Sequence, residues 1–212
     1  MSKHYGSIAF TDSVRAIQSE RGSGAFYGAR ADKGLADPGA DPLTAAERDY
    51  LAEQDGFYLA SVSATGWPYV QYRGGPPGFI RTIDENTIGW ADFRGNLQYV
   101  SAGNVTDDDR VAIIVLDYAR RQRLKIFGRA RIVTVDENPE LMAALDDHDY
   151  EAVVERGILI SVEAYDWNCP QHITPRFTEL QVNTAVEPLR ARIAALEAEN
   201  AALRGASKMP PS

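Results

Sequence analysis

The sequence is short of the residues that let side chains perform difficult chemistry unaided. Its 212 residues hold one cysteine, Cys169, and three scattered histidines, His4, His148 and His172. One cysteine closes no internal disulfide, and no Cys/His set has zinc spacing, so no metal is expected. That cysteine usage fits a reducing compartment, and a cytoplasmic location is expected. There is no G-x-S-x-G elbow and no Walker loop. Gly22-Ser23-Gly24 lacks the strand-to-helix context of a dinucleotide fingerprint. Long apolar runs are missing too. The longest, Val111 to Leu116, reads as a buried strand and falls far short of the ~20 residues of a membrane span. The opening Met1-Ser2-Lys3-His4-Tyr5-Gly6 has no signal-peptide core, and no membrane contact is expected. Positive charge is in deficit: 22 Lys and Arg against 30 Asp and Glu give a net charge of −8. Such a chain repels a nucleic-acid backbone, and the basic cluster Arg120-Arg121-Gln122-Arg123 is short and local, so no nucleic-acid partner is expected. A small anionic ligand in a local basic pocket stays compatible with that balance. Asp107-Asp108-Asp109 has the wrong spacing for an EF-hand and reads as a solvated loop.

What is present is ordinary globular material: 44% hydrophobic and 25% charged residues in a chain long enough to bury a core without staples. Asp12 to Glu20 reads as a short helix capped by Thr11 or Asp12. Gly22 to Asp41, rich in Gly, Ala, Asp and Pro, reads as an extended arm. Thr44-Ala45-Ala46-Glu47 is a capping box that starts a helix running to about Gln54. Strand signals follow. Phe57 to Ala64 and Tyr69 to Arg73 flank the turn Thr65-Gly66-Trp67-Pro68. Phe79 to Ile83 and Thr87 to Asp92 flank Asp84-Glu85-Asn86. Val111 to Tyr118 and Leu124 to Val135 flank residues 119–123, and Gly157 to Trp167 is a last long strand. Close strand spacing with tight turns argues an antiparallel barrel or sandwich. Short helices are expected over Asn96 to Ala102 and from Asn138-Pro139 to Leu145. Near the C-terminus Leu189, Ile193, Leu196, Asn200 and Leu203 form a d-a-d-a-d seam with Asn200 at an a position. The seam suits pairing between subunits, packing on its own domain, or a solvated tail.

Four segments carry candidate chemistry. In Gly66-Trp67-Pro68-Tyr69-Val70-Gln71-Tyr72-Arg73-Gly74-Gly75-Pro76 a turn delivers a strand with Gln71 and Arg73 on one face, and the double glycine lets another backbone or a flat ligand come close. In Trp90-Ala91-Asp92-Phe93-Arg94-Gly95-Asn96-Leu97-Gln98 a strand ends and a helix begins. Free amides there, with Asn96, Gln98 and nearby Arg residues, suit a phosphate. Arg123-Leu124-Lys125-Ile126-Phe127-Gly128-Arg129-Ala130 is a strand with one charged face. Asp166 to Phe177 is a polar and aromatic run. With no self-sufficient side-chain constellation, a bound cofactor is the expected source of any hard chemistry.

Together, from Leu43 to Phe177, these segments resemble the pyridoxamine 5′-phosphate oxidase-like, FMN-binding split-barrel proteins. The resemblance implies a mainly β fold, an antiparallel split β-barrel with peripheral helices and a C-terminal helix. It implies a homodimer with FMN at the subunit interface and an FMN-dependent oxidoreductase acting on a small-molecule substrate. Residues 1–42 would form an N-terminal arm, 43–177 the barrel and 178–212 the C-terminal helix and tail. Cofactor-binding positions carried over are Gln71, Tyr72 and Arg73, then Ala91, Asn96 and Gln98, then Arg123 and Trp167. Relatives that oxidise pyridoxamine phosphate carry a C-terminal Arg-x-His motif. Here Gln171-His172-Ile173-Thr174-Pro175-Arg176 stands instead, so a vitamin B6 phosphate is not the expected substrate. His172 as proton source and Arg176 as anion anchor are the candidate catalytic residues. Trp67, Trp90 and Trp167 equally suit packing, and Cys169, with no charge partner in sequence, reads as structural. A non-enzymatic flavin carrier, or a same-fold protein using the deazaflavin F420 or haem, remains open at this point.

Overall fold

Alternation along the chain sets one face of a curled sheet inward. On strand β1 (Gly56–Val62), Phe57, Leu59 and Ser61 are buried while Tyr58, Ala60 and Val62 face outward. In this computed structural model, which describes residues 3–36 and 39–206, six more strands follow. They are β2 (Pro68–Gly74), β3 (Arg81–Asp84), β4 (Thr87–Phe93), β5 (Arg110–Asp117), β6 (Gln122–Val133) and β7 (Val154–Trp167). All neighbours pair antiparallel in the order β2-β1-β5-β6-β7-β4-β3. The sheet closes on itself. Phe57 on β1 meets Trp90 on β4 edge-to-face with ring centroids 4.8 Å apart, although β5, β6 and β7 lie between those strands. Phe79 stacks on the other side of Phe57 at 5.8 Å. The enclosed core continues through Leu59, Ile113, Val115, Ile126, Ile158 and Ile160, each contributing ~1.5–3 kcal/mol by burial. The chain is thus a split barrel, mainly β with peripheral helices.

The expected hairpins, the last strand and the helices α2 (Asp12–Glu20), α4 (Ala45–Ala52) and α6 (Pro139–Leu145) are present. Glu47 accepts from the Thr44 amide at 3.0 Å and Asn138 from the Leu141 amide at 3.0 Å, which stops each helix from fraying at its start. Two expectations need correction. The segment read as an extended arm contains α3 (Gly24–Ala36), which packs on α1 (Tyr5–Ala9). Gly6 lies so close to Ala31 that a Cβ there would sit 3.1 Å from it, and Phe10 meets Tyr27 at 5.5 Å. Those contacts outweigh the weak helix propensity of the glycines. Asp41 then pins the chain start, accepting from the Lys3 and His4 amides at 3.0 and 2.9 Å. Residues 1–2 and 37–38 of the arm and 207–212 of the tail lie outside the described residues.

The second correction concerns the helix expected over Asn96 to Ala102. It begins later, as α5 (Val100–Asp107), and residues 94–99 form a loop in which Leu97 and Tyr99 take left-handed conformations (φ 63° and 54°). Asn96 accepts from the Gln98 amide at 3.2 Å, an Asx turn that competes with helix initiation. Of the acidic run, Asp108 pairs with Arg110 and Asp109 with Arg129. The chain ends on α7 (Glu179–Ala206), which stands off the barrel: from 179 to 204 every residue except Val186 is exposed. No described helix is long and apolar enough to cross a membrane.

Candidate functional site

The barrel is split where β2 comes opposite β4. Period two puts Tyr69, Gln71 and Arg73 of β2 on the inner side, in register with Ser61, Leu59 and Phe57 of β1. Across the slit Arg73 Nη1 donates to Asp92 Oδ1 on β4 at 2.6 Å. Asp92 is also opposite Arg156 on β7, whose Nε lies 3.5 Å from the second carboxylate oxygen. Arg156 donates to Glu155 at 2.7 Å, and Glu155 accepts from Arg94 Nε at 2.9 Å and the Tyr99 hydroxyl at 3.2 Å. The Arg156 guanidinium lies over the Tyr99 ring at 4.9 Å. A chain of alternating charges therefore runs along the slit and ties the 94–99 loop to the sheet. Three guanidiniums against two carboxylates leave one surplus positive charge.

Burial pushes the Asp92 carboxyl above its ordinary range, and Arg73 and Arg156 pull it only part of the way back. Hydrogen bonds from Arg94, then Arg156, hold Glu155 below its ordinary range. The Nε atoms of both Arg73 and Arg156 are buried without a hydrogen-bond partner. An unfilled buried cationic donor is costly, so both arginines have unused capacity for an anion. Gln71 is oriented from the other side: its carboxamide oxygen accepts from Ser101 at 3.1 Å and Tyr69 at 3.4 Å.

Two adjoining clefts open on this network. Gln71, Arg73, Asn96 and Gln98 line the first, with Asp92, Tyr99 and Glu155. Tyr72, Arg73 and Ala91 line the second, with Trp90, Arg94 and Tyr150. Six of the eight sequence-derived cofactor positions thus converge. The double glycine is used differently from the reading above. A Cβ on Gly74 would come 2.9 Å from the Tyr72 ring, and one on Gly75 would come 2.6 Å from Phe79. What approaches these backbones is the chain's own aromatics.

The remaining four named positions lie elsewhere in the same chain. Trp167 donates from Nε1 to Glu47 at 2.6 Å and packs edge-to-face on Tyr50 at 4.7 Å. Arg123 lies beside Leu116 of β5, its Nε buried and unpartnered, and its carbonyl accepts from the Asn168 amide at 3.0 Å. Arg176 covers the Tyr118 ring at 4.9 Å. His172 is exposed, with a left-handed φ of 64°. Arg123 nevertheless shares an outer sheet face with Tyr72 and Val70 of β2, Tyr58 and Val62 of β1 and Ile114 of β5. That face is apolar and exposed at Val70 and Tyr72 (60% and 55%).

Sequence reasoning missed Arg156 and Glu155 and did not single out Asp92. The signal for Arg156 was weak: one basic residue before Gly157 at the start of a strand. Only the β4–β7 register brings it to Asp92. Among the described residues no three His, Cys, Asp or Glu side chains are grouped to hold a metal.

No curated protein matches the chain. Among solved structures it is similar to HupZ of Group A Streptococcus, at 17% identity over 64% of this chain and 100% of that one, TM-score 0.45. It is similar to a Lactobacillus delbrueckii protein named for pyridoxamine 5′-phosphate oxidase, at 19% identity over 59% of this chain and 93% of that one, TM-score 0.45. An F420 reductase is similar at 18% identity over 56% of this chain and 94% of that one, TM-score 0.41. The sequence profile of the family described as pyridoxamine 5′-phosphate oxidase matches residues 43–166, which takes in α4 and every strand of the barrel up to Asp166. With more than half of its length matched in this way, the chain belongs to the pyridoxamine 5′-phosphate oxidase-like family.

Proposed function

We propose that the chain binds FMN in the slit between β2 and β4 and works as an FMN-dependent oxidoreductase on a small molecule other than a vitamin B6 phosphate. The observation that carries this is the pair of buried Nε donors on Arg73 and Arg156 that make no hydrogen bond, beside a surplus positive charge. Such a pair suits a phosphate monoester, for which charge-assisted bonds from arginine are the strong ones. Arg73 and Arg156 would hold the phosphate, with Asn96 and Gln98 from the loop. Gln71, Tyr72 and Ala91 would border the ring system. Bound FMN would supply electron transfer, and the protein would supply binding, orientation and local charge.

The homodimer follows from the exposed apolar face of β2, β1 and β5, which a second copy would cover. Arg123 lies on that face, and Arg123, Trp167, His172 and Arg176 are away from the slit of their own chain. The reading therefore gives these four to the site of the second copy. Arg176 would anchor an anionic or carbonyl-bearing substrate, and His172 would deliver a proton. Titration of the apo-protein with FMN and with riboflavin, followed by flavin fluorescence, tests the cofactor. Saturable FMN binding at micromolar protein, tighter than riboflavin, is expected. Absence of a saturable change removes the proposal. Stopped-flow reduction of the bound flavin by NADH or NADPH then separates an enzyme from a carrier.

A further inference from the structure

Helix α7 carries a longer apolar repeat than its last two heptads. Val182, Val186, Leu189, Ile193, Leu196, Asn200 and Leu203 follow at spacings of four and three throughout, a d-a-d-a-d-a-d seam over three heptads. All of its members except Val186 are exposed, Leu189 and Leu203 each at 63%. Pro188 falls at a c position on the outer side, where it costs the helix one backbone bond but puts no ring between the paired helices.

The flanking charges say what the seam fits. The charged g positions are Arg192 and Glu199, the charged e positions are Arg190, Glu197 and Arg204, and Ala185 at g and Asn183 at e are neutral. In a parallel in-register pair, each g residue faces the e residue five further on in the other helix. Arg192 then meets Glu197 of the second copy and Glu199 meets Arg204, each twice by symmetry, and all four pairs are opposite in charge. In the antiparallel register that overlaps the same seam, Glu197 faces Glu197 and Arg190 faces Arg204. Asn200 decides in the same direction. In the parallel pair it faces its own copy, where two amides hydrogen-bond, whereas in the antiparallel pair it faces Leu189. Its Nδ2 donates to the Leu196 carbonyl of its own helix at 3.0 Å, and its Oδ1 can accept from the second copy.

We propose that α7 pairs with α7 of a second copy of this chain as a parallel, in-register two-stranded coiled coil. A seam this short is marginal in isolation. The proposal rests on the barrel dimer proposed above: attachment to two associated barrels would raise the local concentration of the helices, and a parallel coil has the two-fold axis of a closed homodimer.

The test uses the full chain with Cys169→Ser as background, since Cys169 is exposed. Leu203→Cys places a thiol in the seam at d, and Ala198→Cys places one on the outer f face. Under mild oxidation Leu203→Cys is expected to form a covalent dimer at least tenfold faster than Ala198→Cys. Equal rates, or no cross-link at position 203, overturn the proposal. So does a mixture of Val186→Cys and Leu203→Cys chains that yields only the mixed dimer, which is the antiparallel result. Added to Leu203→Cys, Glu197→Arg should slow cross-linking at least tenfold, and adding Arg192→Glu to that variant should restore the parent rate within about threefold. A Glu197→Arg variant that cross-links at the parent rate overturns the parallel register.

Discussion

Arg73 on β2 and Asp92 on β4 join at 2.6 Å across strands that do not pair through their backbones and are separated in the sheet by four others. The pair both latches the slit and loads it. Asp92 pairs with both Arg73 and Arg156 while the Nε of each makes no hydrogen bond. A phosphate entering the slit would therefore compete with Asp92 for the same two guanidiniums.

Arg73→Ala removes one of those donors and should weaken FMN more than riboflavin. A hydrogen bond to a charged group is worth ~1.5–3 kcal/mol, which is roughly a ten- to hundredfold loss for FMN. Riboflavin, lacking the phosphate, should change by less than about threefold. Parallel fluorescence titrations read the ratio. Equal losses for the two flavins would put Arg73 beside the ring system or make it purely structural.

Asp92→Asn should act in the opposite direction on the ligand. The amide keeps an acceptor for Arg73 but leaves Arg73 without a counter-charge and Arg156 with Glu155 alone, so the apo-protein should lose about 1–3 kcal/mol of stability. The same uncompensated charge should favour FMN over riboflavin by a larger factor than in the parent. Chemical denaturation of the apo-protein and paired flavin titrations check the two halves separately.

Glu47 gives a pH signature. Burial acts to raise its pKa, but the bonds from Thr44 and Trp167 outweigh that and hold it below its ordinary 4.5. An unfolded Glu47 therefore takes up a proton at higher pH than the folded one. Its contribution is complete above pH 4.5 and is lost as pH falls through that value toward the lowered one. Glu47→Gln leaves one acceptor oxygen, so whichever of Thr44 and Trp167 it serves, the amide nitrogen faces the donor of the other. It should cost about 1–3 kcal/mol at pH 7 and flatten the acid limb of a stability–pH profile relative to the parent. An unchanged acid limb would remove Glu47 from the account.

The apolar outer face makes its own prediction. Val70 is 60% exposed on β2, so Val70→Asp should leave the barrel core intact. If this face joins two copies, the variant should become monomeric by light scattering and lose FMN with the dimer, while its thermal unfolding remains cooperative. A dimeric Val70→Asp variant would place the interface elsewhere.

How much of this was legible in the sequence depends on the range of the interaction. Period-two alternation fixed the strands, and Thr44–Glu47 and Asn138-Pro139 fixed two helix starts, because those signals act within four residues. Gln71 and Arg73 were found by the same alternation. Arg156 was not, since its importance arises only from the β4–β7 register that sets it opposite Asp92. α3 was missed because its stability comes from Gly6 against Ala31 and Phe10 against Tyr27, contacts between segments that composition alone reads as loop. The loop before α5 was misread because Asn96 both suits a helix start and closes an Asx turn, and here the turn wins.

The last prediction concerns the segment after β7. His172 takes a left-handed backbone conformation on an exposed turn, and Arg176 lies over the ring of Tyr118, whose pKa its neighbour Tyr58 raises. Tyr58 in turn meets Tyr72 edge-to-face at 5.4 Å. Arg176 is thus held at one end of a row of tyrosines whose other end borders the second cleft. That is a suitable mount for an anion anchor serving a site shared between two copies. Arg176→Ala should keep the FMN affinity and the dimer but raise KM for an anionic substrate. For His172, alanine is a poor probe, because a positive φ costs it strain that asparagine tolerates better. His172→Asn preserves the turn and removes the imidazole, so a loss of turnover in it reports proton transfer rather than backbone shape. A general acid predicts a fall of roughly a hundredfold or more. If turnover is unchanged, His172 serves the turn alone. If FMN is lost with turnover, His172 belongs to the cofactor's surroundings and not to proton delivery.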